Sequence, residues 1–569
     1  MSGFPRVDPL NLPLSGGTMT GPIVGFQDKG GQVFNVKAYG AKGDGIARSD
    51  GAITTGTAAF TSATGTFTSA DVGKLISVNG AGTSGAVLVT TISAYTSATA
   101  VTLAANAATT VSGATYLYAT EDATSVNAAI TACQNAGGGI VEAPPGLYVT
   151  NVGFTVPSSQ THVIVKGAGE LATTFKAISS AYTPNQVFLH QSNGWVQDCT
   201  FDGNGANTEA LEMSNPSAQT AFKIIQGAFR VTAQNAKGSW VMVVWDRNQT
   251  FQIDRFYFDK VTIKGPGNTA GDNFTVSYVN TCFVKDLTFD GLARTPNFYY
   301  ANQLFIDGLY SNGVASTGAV VIDVGVLKAT ISNLQIIPSG SAANGDLDLN
   351  CAFAELDNII ISSSTVPGNL VINASGTSGV GKYRLSNFDI PNGHIAISQP
   401  IQELSLSGGY IYNQAGDSIV VDGSAASSTT GLVRLSRISG NGFNGVQPIC
   451  RSSNAVTWTT FQMSECDVVN LSTGAFTNIT LGTGSSISKV KGYNPRGGSV
   501  TQPAVAASGT AVTNNTGVDC TVFVNGGTVS AIAIGGTATG LTSGSFRVPA
   551  GQTITLSYSV APTWTWFGD

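Results

Sequence analysis

Ionic side chains are scarce in this chain. Its 33 Asp and Glu and 27 Lys and Arg amount to 11% of 569 residues, against roughly 25% in an ordinary soluble domain. The bases form no run and the formal net charge is −6, so the phosphate-binding footprint of a nucleic-acid protein is missing. No stretch reaches the roughly 18 apolar residues of a membrane span. The start, Met1 to Asp8, lacks the apolar core of a secretory signal. A soluble chain made in a cytoplasm, without nucleic acid or membrane insertion, is therefore expected. The seven cysteines, at 133, 199, 282, 351, 450, 466 and 520, are odd in number and show no CxxC spacing. That indicates neither a disulfide framework nor a zinc site, and most are expected to be small buried hydrophobes. The glycine runs Gly40 to Gly45 and Gly137 to Gly139 lack the GKS or GKT ending of a phosphate loop and read as turns. Neither a cofactor nor a metal is expected.

What is abundant is turn and strand material. There are 69 glycines, and Val, Ile, Thr and Phe interrupted by Gly and Asn suit short strands separated by turns. From about Val163 to Ile438 a pattern repeats without a repeated sequence: a small or polar residue, an apolar one, and a second apolar residue two places on. The first apolar position reads Val261, Leu287, Leu309, Leu334, Ile359, Phe388, Tyr410 and Ile438, at intervals of 26, 22, 25, 25, 29, 22 and 28. Before it stand Lys260, Asp286, Gly308, Asn333, Asn358, Asn387, Gly409 and Arg437, mostly residues that tolerate an unusual backbone angle. Two places after it come Ile263, Phe289, Ser311, Ile336, Ile361, Ile390 and Tyr412, continuing one face at strand spacing. Val163 and Cys199 read as earlier members. Such periods belong to solenoids. A coil of this length is too short for a βαβ unit but fits two or three short strands, and parallel crossovers are right-handed. The expectation is an all-β right-handed parallel β-helix, with a β-sandwich carrying irregular loops as the alternative.

Two upstream segments carry a resemblance. Phe34 to Gly45, FNVKAYGAKGDG, and Asp122 to Tyr148, with its Gly-Gly-Gly and Pro-Pro-Gly turns, together resemble the start of the pectate-lyase-like β-helix family. Ser125 to Asn135 can form one amphipathic helix that caps the open end of the solenoid. Residues 46–118, an alternation of Thr, Ser, Ala and Val, separate the two segments and read as a small inserted β domain. Leu12 to Ile23, LPLSGGTMTGPI, is similar to a short repeat of phage tail-fibre proteins, and residues 491–569, ending Trp564-Thr-Trp-Phe-Gly-Asp569, resemble a terminal β-sandwich-like module of phage tail proteins. The expected organisation is a virion-attachment segment at 1–30, the β-helix at 31–45 and 119–490, the insertion, and the C-terminal module. The resemblance implies a homotrimer, attached through its N-terminus to other phage tail or baseplate proteins, that meets bacterial surface polysaccharide.

Glycan hydrolysis needs paired carboxylates, and acids at equal offsets in neighbouring coils should lie one rung, roughly 4.8 Å, apart. Asp246 and Asp272 each sit 15 residues before their ladder positions, with Trp240, Trp245 and Arg247 beside the first. Asp323 and Asp348 each sit 11 before theirs, with Asp346 nearby and Tyr299, Tyr300 and Tyr310 upstream. Aromatic rings beside acids suit a sugar site, because sugar faces stack on rings while carboxylates act on the bond. The opposing reading of each pair is a turn role, in which Asp bonds backbone amides. The polygalacturonase pattern is absent around His394, no clustered acids and bases suggest a calcium-dependent lyase, and no Ser or Cys triad motif occurs. His162 and His190 read as structural. Three functions remain open: a polysaccharide depolymerase, hydrolase or lyase; a tail protein that binds sugar or braces the tail without catalysis; and a cell-encoded secreted lyase or adhesin.

Overall fold

The residues that mark the turns of the ladder lie in the left-handed region of backbone space. The computed structural model describes residues 32–216, 223–238, 240–265, 274–292, 296–312, 320–323, 325–337, 347–361, 369–372, 381–391, 394–412, 419–421, 429–440, 450–468, 476–488, 500, 502–516 and 519–568. In it Asp198, Arg230, Lys260, Asp286, Gly308, Asn333, Asn358, Asn387, Gly408 and Arg437 have φ between 51° and 86°. A non-glycine residue held there costs roughly 1 kcal/mol, less where an Asn or Asp side chain bonds locally. Each bends a long strand, and the residue that follows joins one parallel column: Cys199, Val231, Val261, Leu287, Leu309, Leu334, Ile359, Phe388, Gly409 and Ile438. Asparagines stack along the same bend, Asn358 Nδ2 donating to Asn333 Oδ1 at 2.6 Å.

The structure corrects this ladder at two places. Gly409, not Tyr410, occupies the rung between Phe388 and Ile438, and Ile411, not Tyr412, pairs with Ile390 and is buried. Volume sets the register: a Cβ on residue 409 would lie 2.2 Å from Phe388 Cζ, so the ring fills the space a side chain would take. Gly409→Ala is accordingly expected to overpack the rung by about 1–3 kcal/mol. A lowered thermal midpoint measures this, and an unchanged one would show that the ring swings aside. Val163 pairs with Gly194 and so belongs to a different column, while Val231 fills the rung between Cys199 and Val261.

These rungs build a parallel β-solenoid of about 9 turns, in which 28 strands of the described residues are hydrogen-bonded into one continuous sheet. Its mouth is closed by the helix Ala123–Asn135, whose Val126, Ala129, Ile130 and Cys133 are buried. The strand Val33–Asn35 pairs in parallel with Gly138–Glu142, and the buried Asp122 carboxylate accepts from Lys42 N at 2.6 Å and Gly43 N at 3.1 Å, tying the two opening segments together. Between them the chain makes a closed antiparallel barrel, from Ile46–Ile53 to Val111–Ala119, around Phe60, Phe67, Tyr116 and Tyr118. Beyond the solenoid, antiparallel sheets of four and three strands run from Ala511–Thr513 to Thr563–Gly568, with Ile532, Phe546 and Trp566 buried. All seven cysteines are buried and unbridged. The attachment segment expected at 1–30 lies outside the described residues.

Candidate functional site

Strand register separates Asp246 from the offset assigned to Asp272. Trp245 pairs with Ser277, which places position 278, not 272, opposite Asp246. Between Trp245 and Ile253 the chain makes a turn, whereas their partners Ser277 and Val279 are two residues apart in one continuous strand. An offset counted back from the ladder crosses that turn in one coil and not in the next. Asp272 itself lies outside the described residues, as does Asp346. Asp246 is fully buried, and its carboxylate accepts from Asn248 N at 3.0 Å, Thr250 N at 3.0 Å and Gln252 N at 2.8 Å. Its geometry is that of a turn aspartate.

The aromatic residues beside it do converge. Parallel pairing lines up Glu212, Val243, Thr275, Asn297, Val321 and Asp348 in one column. A second column beside it holds Ser214, Trp245, Ser277 and Tyr299. Over these columns runs an open groove of about 460 Å³ lined by Trp240, Trp245, Tyr278, Asn297 and Tyr299, among others. Trp240 and Trp245 lie 6.1 Å apart. Tyr278 and Tyr300 occupy left-handed backbone at φ 58° and 52°, and their rings stack at 4.4 Å, so the bend fixes them. Tyr299 donates its hydroxyl to Tyr300 at 3.3 Å; this bond, then burial, pushes its pKa up to about 12.

Acids stand at both ends of this face. At one end Arg247 places its guanidinium 5.4 Å from the centre of the Trp245 ring and grips both oxygens of Glu212 at 2.6 to 2.9 Å. Glu212 is 1% exposed. Beside it Glu209 is pushed up to about 8, first by burial and then by the charge of Glu212. At the other end Asp323 follows the strand Val320–Ile322 and accepts from Asn297 Nδ2 at 3.2 Å. Asp348 pairs with Val321, so the two acids are not directly opposite but two residues offset across one rung, roughly 8 Å between backbone positions. Burial, and then the negative charge of Asp323, raise Asp348 to about 7. Of the residues singled out in the sequence, Trp240, Trp245, Arg247, Tyr299, Tyr300, Asp323 and Asp348 thus share one face. Glu209, Glu212, Tyr278 and Asn297 were missed; only the strand register puts them there. Among the described residues no group of three His, Cys, Asp or Glu could hold a metal ion, and no helix is long and apolar enough to cross a membrane.

No protein-family model matches the sequence, and no curated protein does. Solved structures similar to it include a tailspike protein of E. coli bacteriophage HK620, at 13% identity and TM-score 0.37, covering 79% of this chain and 89% of that one. The Gp54 tailspike of Acinetobacter baumannii bacteriophage AP22, in complex with a capsular saccharide, is 9% identical over 92% of this chain and 84% of that one, TM-score 0.29. The A-module of mannuronan C-5 epimerase AlgE6 from Azotobacter vinelandii is 16% identical over 66% of this chain and 93% of that one, TM-score 0.29.

Proposed function

We propose that this chain is a phage tail protein that recognises bacterial surface polysaccharide along the outer face of its β-solenoid. The observation that carries the reading is the groove floored by Trp240, Trp245, Tyr278 and Tyr299. Rings fixed by stacked strands bind sugar faces without first losing side-chain freedom, and parallel rungs repeat the binding surface along an extended polymer. The phage assignment rests on the LPLSGGTMTGPI segment at Leu12 to Ile23 and on the C-terminal residues 491–569. Attachment through the N-terminus and a homotrimeric state belong to the same proposal. Purified protein titrated with host capsule and lipopolysaccharide tests it by calorimetry. Trp245→Ala is expected to weaken binding roughly five- to tenfold, the value of one stacked ring; an unchanged affinity would move the glycan off this face.

A second reading, hydrolysis of the bound glycan, is favoured by the unequal environments of Asp323 and Asp348. A carboxyl raised to about 7 holds a proton at neutral pH that it can give to a glycosidic oxygen. In this step Asp348 protonates the leaving oxygen as the bond to the anomeric carbon breaks. Water adds to that carbon and gives its proton to Asp323. If the carboxyl groups keep the roughly 8 Å of their backbone positions, a water fits between them and the outcome is inversion. New reducing ends without unsaturated product support hydrolysis; unsaturated ends would indicate a lyase, and a bound but intact glycan a binding protein alone.

A further inference from the structure

We infer that the acid end of the groove takes a sugar that offers hydrogen-bond donors and no negative charge, an amino sugar or its acetamide, in preference to a uronate. The inference deepens the glycan reading above and rests on it. Asn297 Nδ2 donates to Asp323 Oδ2 at 3.2 Å, which fixes the orientation of the amide and turns its oxygen elsewhere. That oxygen, Asn297 Oδ1, and Asp348 Oδ1 are both buried without a hydrogen-bond partner in the protein. The two residues share one column with Val321 between them, so their backbones stand two rungs, roughly 10 Å, apart.

Asn297 Oδ1 can only accept, and Asp348 Oδ1 accepts whenever the carboxyl proton sits on the other oxygen or has left. A buried acceptor left unpaired is destabilising, and a native structure that keeps two beside a groove is complementary to something that donates. An ammonium or acetamido group supplies N–H donors, whereas a uronate carboxylate only accepts. Charge acts in the same direction. Asp323 and Asp348 stand at this end, the charge of Asp323 already holding the Asp348 carboxyl toward its neutral form, and a uronate would add a further negative group to them. None of the described residues lining the groove is Lys or Arg. The neighbouring Arg247 is already held on Glu212 by contacts of 2.6, 2.7 and 2.9 Å.

The test uses the full chain and β-1,4-linked tetramers of glucosamine, N-acetylglucosamine, glucose and glucuronate, a series that keeps the backbone and changes one substituent. Binding is followed by calorimetry and tryptophan fluorescence. The glucosamine and N-acetylglucosamine tetramers are expected to bind roughly tenfold or more tightly than the glucuronate tetramer. The preference for glucosamine should collapse in Asp323→Asn with Asp348→Asn, while Trp245→Ala should weaken all the neutral and cationic tetramers alike. Circular dichroism and melting of each variant show that it is folded. Equal or tighter binding of glucuronate overturns the inference and leaves the glycan reading standing. Failure of every tetramer to bind overturns the inference, and failure of host capsule and lipopolysaccharide to bind as well overturns the glycan reading with it.

Discussion

Asp246→Ala is expected to destabilise the protein by about 3 kcal/mol, because each buried N–H left without its acceptor costs about 1–3 kcal/mol. The carboxylate is fully buried and closes the turn after Trp245 by accepting from Asn248, Thr250 and Gln252 N–H groups, with Thr250 Oγ1 a further donor at 3.3 Å. Asp246→Asn should recover only part of the loss. One amide oxygen can replace Oδ1 toward Asn248, but the amide nitrogen would then face the N–H groups of Thr250 and Gln252, donor against donor. The turn also carries Arg247, which lies over Trp245, so either variant would lose glycan binding through disorder of the groove wall. Activity alone therefore cannot assign a role to Asp246. The measurements that can are the denaturation midpoint and amide exchange over residues 247–252. Full protection in Asp246→Ala, with binding lost, would contradict the turn role.

The solenoid was legible because its rungs obey a rule that acts on single residues. A bend that needs positive φ selects Gly, Asn and Asp, and the residues beside it must be apolar, so Gly308, Asn333, Asn358 and Asn387 announce the coils. Where the rule is satisfied by something other than the residue's own side chain, the reading slips: Gly409 contributes no apolar group because Phe388 supplies the volume from the neighbouring rung. The candidate site divides in the same way. Asp323 and Asp348 lie near one another because each stands 11 residues before its rung, although the strand register shifts by two residues between them and the ladder. For Asp246 the counted offset crosses a turn that intervenes in its own coil and not in the next, and Asp272 lies outside the described residues. Glu209 and Glu212 lie on Glu209–Asn215, between the rung Cys199 and the rung Val231 that the sequence ladder omits, and nothing in the order of residues ties them to Arg247.

Asp348→Asn is expected to do the opposite of Asp246→Ala: to abolish glycan cleavage, if the pair is hydrolytic, and to raise stability at alkaline pH. The Asp348 carboxyl is moved from 3.8 to about 7 by burial and by the charge of Asp323. A carboxyl whose pKa is higher in the folded state binds its proton more tightly there. Its favourable contribution is thus fully present below about 4 and is lost as pH climbs through about 7. At pH 8 the native state holds a poorly solvated anion beside another, a penalty of about 2–4 kcal/mol once partial exposure is allowed for. The neutral amide has no such penalty, so the variant should melt higher than the parent at pH 8 and nearly with it at pH 4. Cleavage by the parent should fall on an alkaline limb near pH 7, as the acid loses the proton it must donate. A structural carboxylate would behave otherwise: its removal would lower the midpoint at pH 8, as expected for Asp246. A variant that is more stable and inactive would identify Asp348 as a group kept in an unfavourable state for the sake of the site, since a fold under no functional demand would have neutralised it. If Asp348→Asn instead melts lower at pH 8, the charge is compensated in the native protein and the hydrolytic reading loses its acid.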